Sequence, residues 1–170
     1  MRPSLYATAT VITALLIVVA CKHEETEDPR DAELLELALD DEGFTWYKES
    51  DALLSKSAGS GHAQALLRTR FNTIAATILD TNGQVLPDTT FPNGSVIVKE
   101  LFDDASTLAL YAILFKKPTH PYADADGWVW GYMRPDGEVR EPSSNKGSSC
   151  RGCHSQDNSI DFTLMNAYFP

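Results

Sequence analysis

The stretch that settles the fold is Ser95 to Met133, SVIVKELFDDASTLALYAILFKKPTHPYADADGWVWGYM. Three segments in it have strand character. Ser95–Phe102 (SVIVKELF) is rich in β-branched residues, and Thr107–Phe115 (TLALYAILF) is a continuous apolar run. Trp128–Met133 (WVWGYM), opened by Asp126-Gly127, is aromatic. Strands that follow one another through short polar turns pair antiparallel. Within the first segment, Lys99 shares a face with Ile97 and Leu101, both apolar. A lysine on such a face either snorkels out at a sheet edge or serves a site.

Working outward, Ala65–Phe71 (ALLRTRF) fits another strand, with Arg68 and Arg70 on one face and Leu67, Thr69 and Phe71 on the other. Asn72 is placed to cap a short helix reaching Leu79. Further upstream, Asp31–Glu42 (DAELLELALDDE) reads as an amphipathic helix stopped by Gly43, and Ser50–Lys56 reads as a second short helix. Ser57–Gly61 (SAGSG), Asn82-Gly83, Pro87, Pro92 and Pro135-Asp136-Gly137 mark loops and turns. The expected class is α+β: an antiparallel sheet of about five strands flanked by helices.

Close to the C-terminal end stands Cys150-Arg151-Gly152-Cys153-His154, with 16 residues after it. Cys-x-x-Cys-His is the attachment signature of a c-type haem. Two thiols at this spacing each form a thioether to a porphyrin vinyl group, and the following histidine is held under the ring as an iron ligand. A zinc site would want a second Cys/His pair at ligand spacing, and a thioredoxin-like pair would sit beside a βαβ unit; neither pattern is visible.

The other end speaks to location. Arg2 precedes an apolar run over residues 7–20, a secretory signal too short for a comfortable span of about 20 residues. It ends Val18-Val19-Ala20-Cys21, which resembles a bacterial lipobox, so Cys21 is expected to carry lipid and become the N-terminus. Lys22 after it favours the outer membrane. The chain divides into a signal peptide over 1–20, a lipidated N-terminus and polar tether over 21–30, and one domain over 31–170. Three cysteines are thereby assigned, one to lipid and two to haem, with none left for a disulfide. The formal charge is −10, and −11 once the segment bearing Arg2 is removed. Such a balance excludes nucleic acid as a partner and suits solubility or a basic redox partner.

The strand-rich run from 95 to 133 argues against the helical cytochrome classes. From about residue 44 onward the chain resembles the cytochrome P-460 and cytochrome c′-beta family. The resemblance rests on Arg68-Thr69-Arg70-Phe71-Asn72, on FPNGSVIVKEL over Phe91–Leu101, on Asp126-Gly127-Trp128-Val129-Trp130, and on Cys150–His154. It implies a haem sheet domain, usually a homodimer, with haem c as cofactor, Cys150 and Cys153 as attachment points and His154 as the proximal iron ligand. In cytochromes P-460 a lysine of the V-K-E phrase bonds to a haem meso carbon, and Lys99 stands at that position. The family also places an arginine on the distal side, for which Arg68 and Arg70 are the candidates.

The family pattern leaves the sixth iron position open. Met133, Met165, His62 and His120 are the residues able to fill it, with His62 first because it follows Ser60-Gly61 just before the Arg68 strand. Phe71, Trp128, Trp130 and Tyr132 are candidate pocket walls. Two functions follow from the resemblance. One is a haem protein, an oxidoreductase if it turns over, binding hydroxylamine or nitric oxide at iron. The other is an electron-transfer or gas-binding cytochrome without turnover. The enzyme would need an acid/base group near the distal face; the family's oxidising members carry a carboxylate there, and Asp124, Asp126, Glu138 and Glu141 all fall in loops or turns, where exposure is expected.

Overall fold

The structure, a computed structural model, describes residues 28–170. The expected signal peptide, Cys21 and nearly all of the tether lie outside the described residues. Among the described residues no helix is long and apolar enough to cross a membrane.

A seven-stranded antiparallel sheet organises the molecule. Its strands are β1 (Thr45–Trp46), β2 (Leu54–Ser55), β3 (Leu66–Phe71), β4 (Val96–Asp104), β5 (Thr107–Lys116), β6 (Trp128–Met133) and β7 (Val139–Glu141). The order is β1-β3-β4-β5-β6-β7, and β2 also pairs with β3. The helices are α1 (Pro29–Leu39), α2 (Arg151–His154) and α3 (Met165–Tyr168). Asp28 caps α1 by accepting the amide of Arg30 at 2.9 Å, and Pro29 occupies the first turn, where its missing N–H is harmless.

Both faces of the central strands are covered, which is why β4 and β5 read as nearly continuous apolar runs. On one face, Leu34 and Ala38 of α1 pack against Val96, Val98, Ile113, Val129 and Met133. Leu34 is 1% exposed, and burying it contributes about 2 kcal/mol. The helix lies close because position 131 is glycine; a Cβ there would come within 2.8 Å of Leu34. The opposite face carries Leu67, Phe71, Ile97, Leu101, Leu114 and Trp130, packed with Phe91 and Met165.

The antiparallel sheet and its central strands follow the expected pattern, with more strands than the five foreseen. Two expected helices do not form. Leu54–Ser55 of the Ser50–Lys56 segment is strand, paired with Leu67 and Leu66, so an open sheet edge overrode the helix-forming side chains. Between Asn72 and Leu79 there is only a short 3-10 turn, Ala75–Ile78, with Asn72 Oδ1 accepting the Ala75 amide at 2.9 Å.

Candidate functional site

The register of the sheet places Thr69, Lys99, Ala112 and Tyr132 side by side across β3, β4, β5 and β6. This row lies on the face away from α1. Ala112 is the small member, and it leaves room beside Lys99 where its neighbours on the strand face are Leu110 and Leu114. A cavity of about 380 Å³ opens here, lined by His62, Lys99, Tyr132, Cys150, Cys153 and His154 among others. It continues inward as an apolar pocket of about 60 Å³ walled by Ile97, Ala112, Leu114, Trp130 and Phe162.

The Cys150–His154 segment is brought to this cavity by its neighbours on both sides. The carbonyl of Gly147 accepts the amides of Cys150 and Arg151, each at 2.9 Å, and starts the turn that becomes α2. Gly147 has φ +67°, and a Cβ on it would fall 2.5 Å from the Trp130 indole. Only glycine allows the chain to cross that ring so closely. Arg151 then reaches back to Asp124, and to Asp126 at 2.6 Å, tying α2 to the β5–β6 loop.

Downstream, Ile160–Thr163 forms a tight turn closed by two backbone bonds of 2.9 Å. Its central residues, Asp161 and Phe162, have φ of 43° and 69°, a mirror-image turn that usually takes Gly or Asn. The conformation is held by the Asp161 carboxylate, which accepts from Lys116 Nζ at 3.1 Å, Trp128 Nε1 at 3.1 Å and the Phe91 amide at 2.9 Å. The turn presents the Phe162 carbonyl to His154 Nδ1 at 2.7 Å. Trp130 meets the His154 ring edge-on, with centres 5.3 Å apart.

These contacts fix the chemistry of the imidazole. Burial pulls the His154 pKa down, the bond to Phe162 opposes the shift and the Lys99 charge adds to it. A neutral ring that donates from Nδ1 to a carbonyl keeps the lone pair of Nε2 for a metal. Burial also lowers Lys99 to about 8. His62 falls to about 3, through burial and then through the charges of Lys99, His154 and Lys56. Both thiols are free, and burial raises the Cys150 pKa, so that group is a neutral thiol rather than a thiolate ligand. Among the described residues no three His, Cys, Asp or Glu side chains gather to hold a metal ion.

Of the residues singled out by sequence, the cavity brings together Cys150, Cys153, His154, Lys99 and His62, with Trp130 and Tyr132 as walls. Arg68 and Arg70 require correction. They lie on the α1 face, where Arg68 Nε bonds Glu100 at 2.6 Å and Arg70 Nε bonds it at 3.1 Å. Arg70 also donates to the carbonyls of Ala38 and Asp40, where α1 ends without a basic residue of its own. Alternation put both arginines opposite Thr69, and Thr69 pairs with Lys99, so neither reaches the cavity.

Met133 packs under α1 and His120 sits beside Glu33 of that helix. Met165 is buried at the inner pocket, its sulfur accepting from Thr69 Oγ1 at 3.3 Å. Phe71 and Trp128 are core residues behind the walls. Asp124 is also not the exposed loop residue expected. Its side chain is 4% exposed and accepts from Trp130 Nε1 at 2.8 Å as well as from Arg151. Asp126 and Glu138 pair with arginines on the surface, whereas Glu141 lines the cavity.

Gly147, Ala112, Asp161 and Phe162 carry the site without having been singled out. Gly147 stood only three residues ahead of Cys150, which was a readable signal. The others depend on register and on long-range bonds. No family model matches the chain, and no curated protein matches it in sequence.

Proposed function

We propose that the chain is a covalent haem c protein of the cytochrome P-460 type, with Cys150 and Cys153 as the thioether positions and His154 as the proximal iron ligand. The observation that carries this reading is the convergence of both thiols and a neutral, Nδ1-anchored imidazole on one cavity of about 380 Å³. That volume falls within the range of cofactor sites, about 300–1,000 Å³. The residues fit the group in other ways. The inner pocket is apolar, as a porphyrin face requires, and Arg140 in the lining of the outer cavity would offer a cation to its carboxylates.

A bound haem would supply an iron centre for redox change or for small nitrogen ligands such as hydroxylamine or nitric oxide. Around it the chain's own groups do separate work. The Phe162 carbonyl holds the proton on Nδ1 of His154 and so fixes the tautomer. Trp130 and Phe162 keep water from the inner side. Lys99, lowered to about 8, sits in the cavity partly as the free amine, the form able to bond to a haem carbon as the P-460 resemblance implies. Glu141 is the carboxylate that lines the cavity. Residues 1–21 and their resemblance to a lipobox support placement outside the cytoplasm on a lipid anchor, and the family resemblance suggests a homodimer.

A second reading, electron transfer without turnover, is favoured by the position of His62 close to His154. The test of the main reading is expression of the full chain with haem-attachment enzymes, followed by mass spectrometry and a ferrous spectrum. Haem that survives denaturation in the wild type and is lost in Cys150→Ala/Cys153→Ala is expected. A wild-type mass without haem under those conditions would refute the proposal. A ferrous spectrum unchanged by Lys99→Ala would remove the lysine bond alone.

A further inference from the structure

The cavity holds a second imidazole that the attachment motif does not use. His62 stands in the loop between β2 and β3, beside Gly61, and lines both the outer cavity and the inner pocket. Its ring centre is 6.3 Å from that of His154, and the two ring planes are inclined by 76°. Two imidazoles bound through nitrogen to one metal about 2 Å from each have ring centres about 6 Å apart. The inclination is no obstacle, since bonds from one metal to two ring nitrogens do not set the angle between the rings; here Phe162 orients His154 and the loop orients His62.

We infer that His62 is the second axial ligand of the haem iron, opposite His154, in the resting protein. This rests on the haem reading above and adds to it the state of the sixth position. His154 is tied through Nδ1 to Phe162, whereas His62 meets the Tyr132 ring at 5.8 Å and makes no hydrogen bond to another described residue. Among the described residues no donor therefore claims its lone pair. The other residues able to bind iron from that side are placed less well. Met165 already accepts from Thr69, and Met133 and His120 belong to the α1 face. Lys99 lines the cavity as well, and it is the competitor the experiment must separate.

The difference between the two histidines has a functional consequence. His154 is fixed within four residues of both thioether positions and backed by a pinned turn. His62 rides on a loop outside named strands and helices. Under this assignment the strong ligand is permanent and the loop ligand is displaceable. A small nitrogen ligand then competes with His62 for the iron, and the apparent affinity is reduced by the fraction of time the site stands open.

The experiment uses the full chain with haem attached, in the ferric state, read by absorption and electron paramagnetic resonance. Low-spin iron is expected in the wild type. His62→Ala and His62→Gln are each expected to give high-spin iron, and free imidazole should restore the low-spin signal in His62→Ala. Cyanide should bind the variants at least about tenfold more tightly, as expected if the wild-type site is open less than a tenth of the time. High-spin iron in the wild type, or low-spin iron persisting in both variants, would overturn the assignment. A low-spin signal lost in Lys99→Ala and kept in His62→Gln would overturn it in favour of the lysine. These outcomes all require attached haem, so they are distinguishable from failure of the haem reading, which appears as a chain of unmodified mass.

Discussion

Asp161→Asn is expected to remove a large share of the folding stability, because it leaves a buried cation without its anion. The Lys116 and Asp161 side chains are 8% and 9% exposed, with Nζ 3.1 Å from the carboxylate. Stripping one partner from such a pair typically costs about 3–5 kcal/mol. Asparagine adds a second problem. Every partner of the carboxylate is a donor: Lys116 Nζ, Trp128 Nε1 and the Phe91 amide. An amide nitrogen turned toward any of them leaves a donor unmet, at about 1 kcal/mol or more. Against a total of about 5–15 kcal/mol for an ordinary domain, the loss is severe. Urea unfolding of the wild type, Asp161→Asn, Lys116→Met and the double variant gives the coupling directly. The double variant Lys116→Met/Asp161→Asn should recover about 2 kcal/mol or more relative to Asp161→Asn, since the stranded charge is gone. A single variant within about 0.5 kcal/mol of wild type, a size typical of surface changes, would refute the claim that this pair pins the turn. So would a double variant no more stable than Asp161→Asn.

Three further outcomes are expected. Gly147→Ala should destabilise by about 1–3 kcal/mol, because its Cβ would overlap Trp130 at 2.5 Å and its φ is +67°; a melting curve like that of the wild type would show the crossing is loose. Glu100→Gln should cost about 3 kcal/mol or more, since it strands Arg70, whose side chain is 2% exposed. Thermal unfolding checks it, and an unchanged midpoint would contradict the ion-pair role given to the α1 face. His120 is held below its usual pKa by burial, with Glu33 opposing. The unfolded chain therefore takes up that proton first, and stability falls as pH drops below about 6.5. His120→Gln in the haem-free protein should show a shallower loss between about pH 7 and about pH 5, measured by urea midpoints. Parallel slopes for the two proteins would remove His120 from the acid sensitivity.

What sequence made legible was whatever depends on local pattern. The β4, β5 and β6 segments announced themselves through β-branched and aromatic runs, and Lys99 was placed on an apolar face by strand period alone. The Cys150–His154 motif named its own neighbours, since five adjacent residues cannot end far apart. The Ser50–Lys56 segment shows where local pattern fails. Its side chains suit a helix, but Leu54 and Ser55 complete an edge of β3 that would otherwise expose unpaired amides. The arginines show a subtler limit. Alternation separated Arg68 and Arg70 from Thr69, which was right, but only the register that pairs Thr69 with Lys99 reveals which set faces the cavity. Register is a tertiary property, and a slip of one residue would exchange the two sets.

That division of the sheet explains how the cavity can exist at all. On the α1 face the buried charges of the sheet are matched: Glu100 by Arg68 and Arg70, and Arg70 also by the helix carbonyls. On the other face Lys99 and His62 are held away from their ordinary protonation by burial, and two non-glycine residues adopt positive φ. Left-handed residues cost roughly 1–2 kcal/mol each, and a lowered lysine pKa records a further penalty on its charged form. Such features persist only where surrounding structure determines them. Here the determinants are the matched face behind and the Asp161 and Asp124 anchors at either side of α2. Among the described residues, two of the six non-glycine residues with positive φ, Asp161 and Phe162, thus stand with the lowered Lys99 and His62 beside Cys150, Cys153 and His154, and the Asp161 contacts hold that turn in place.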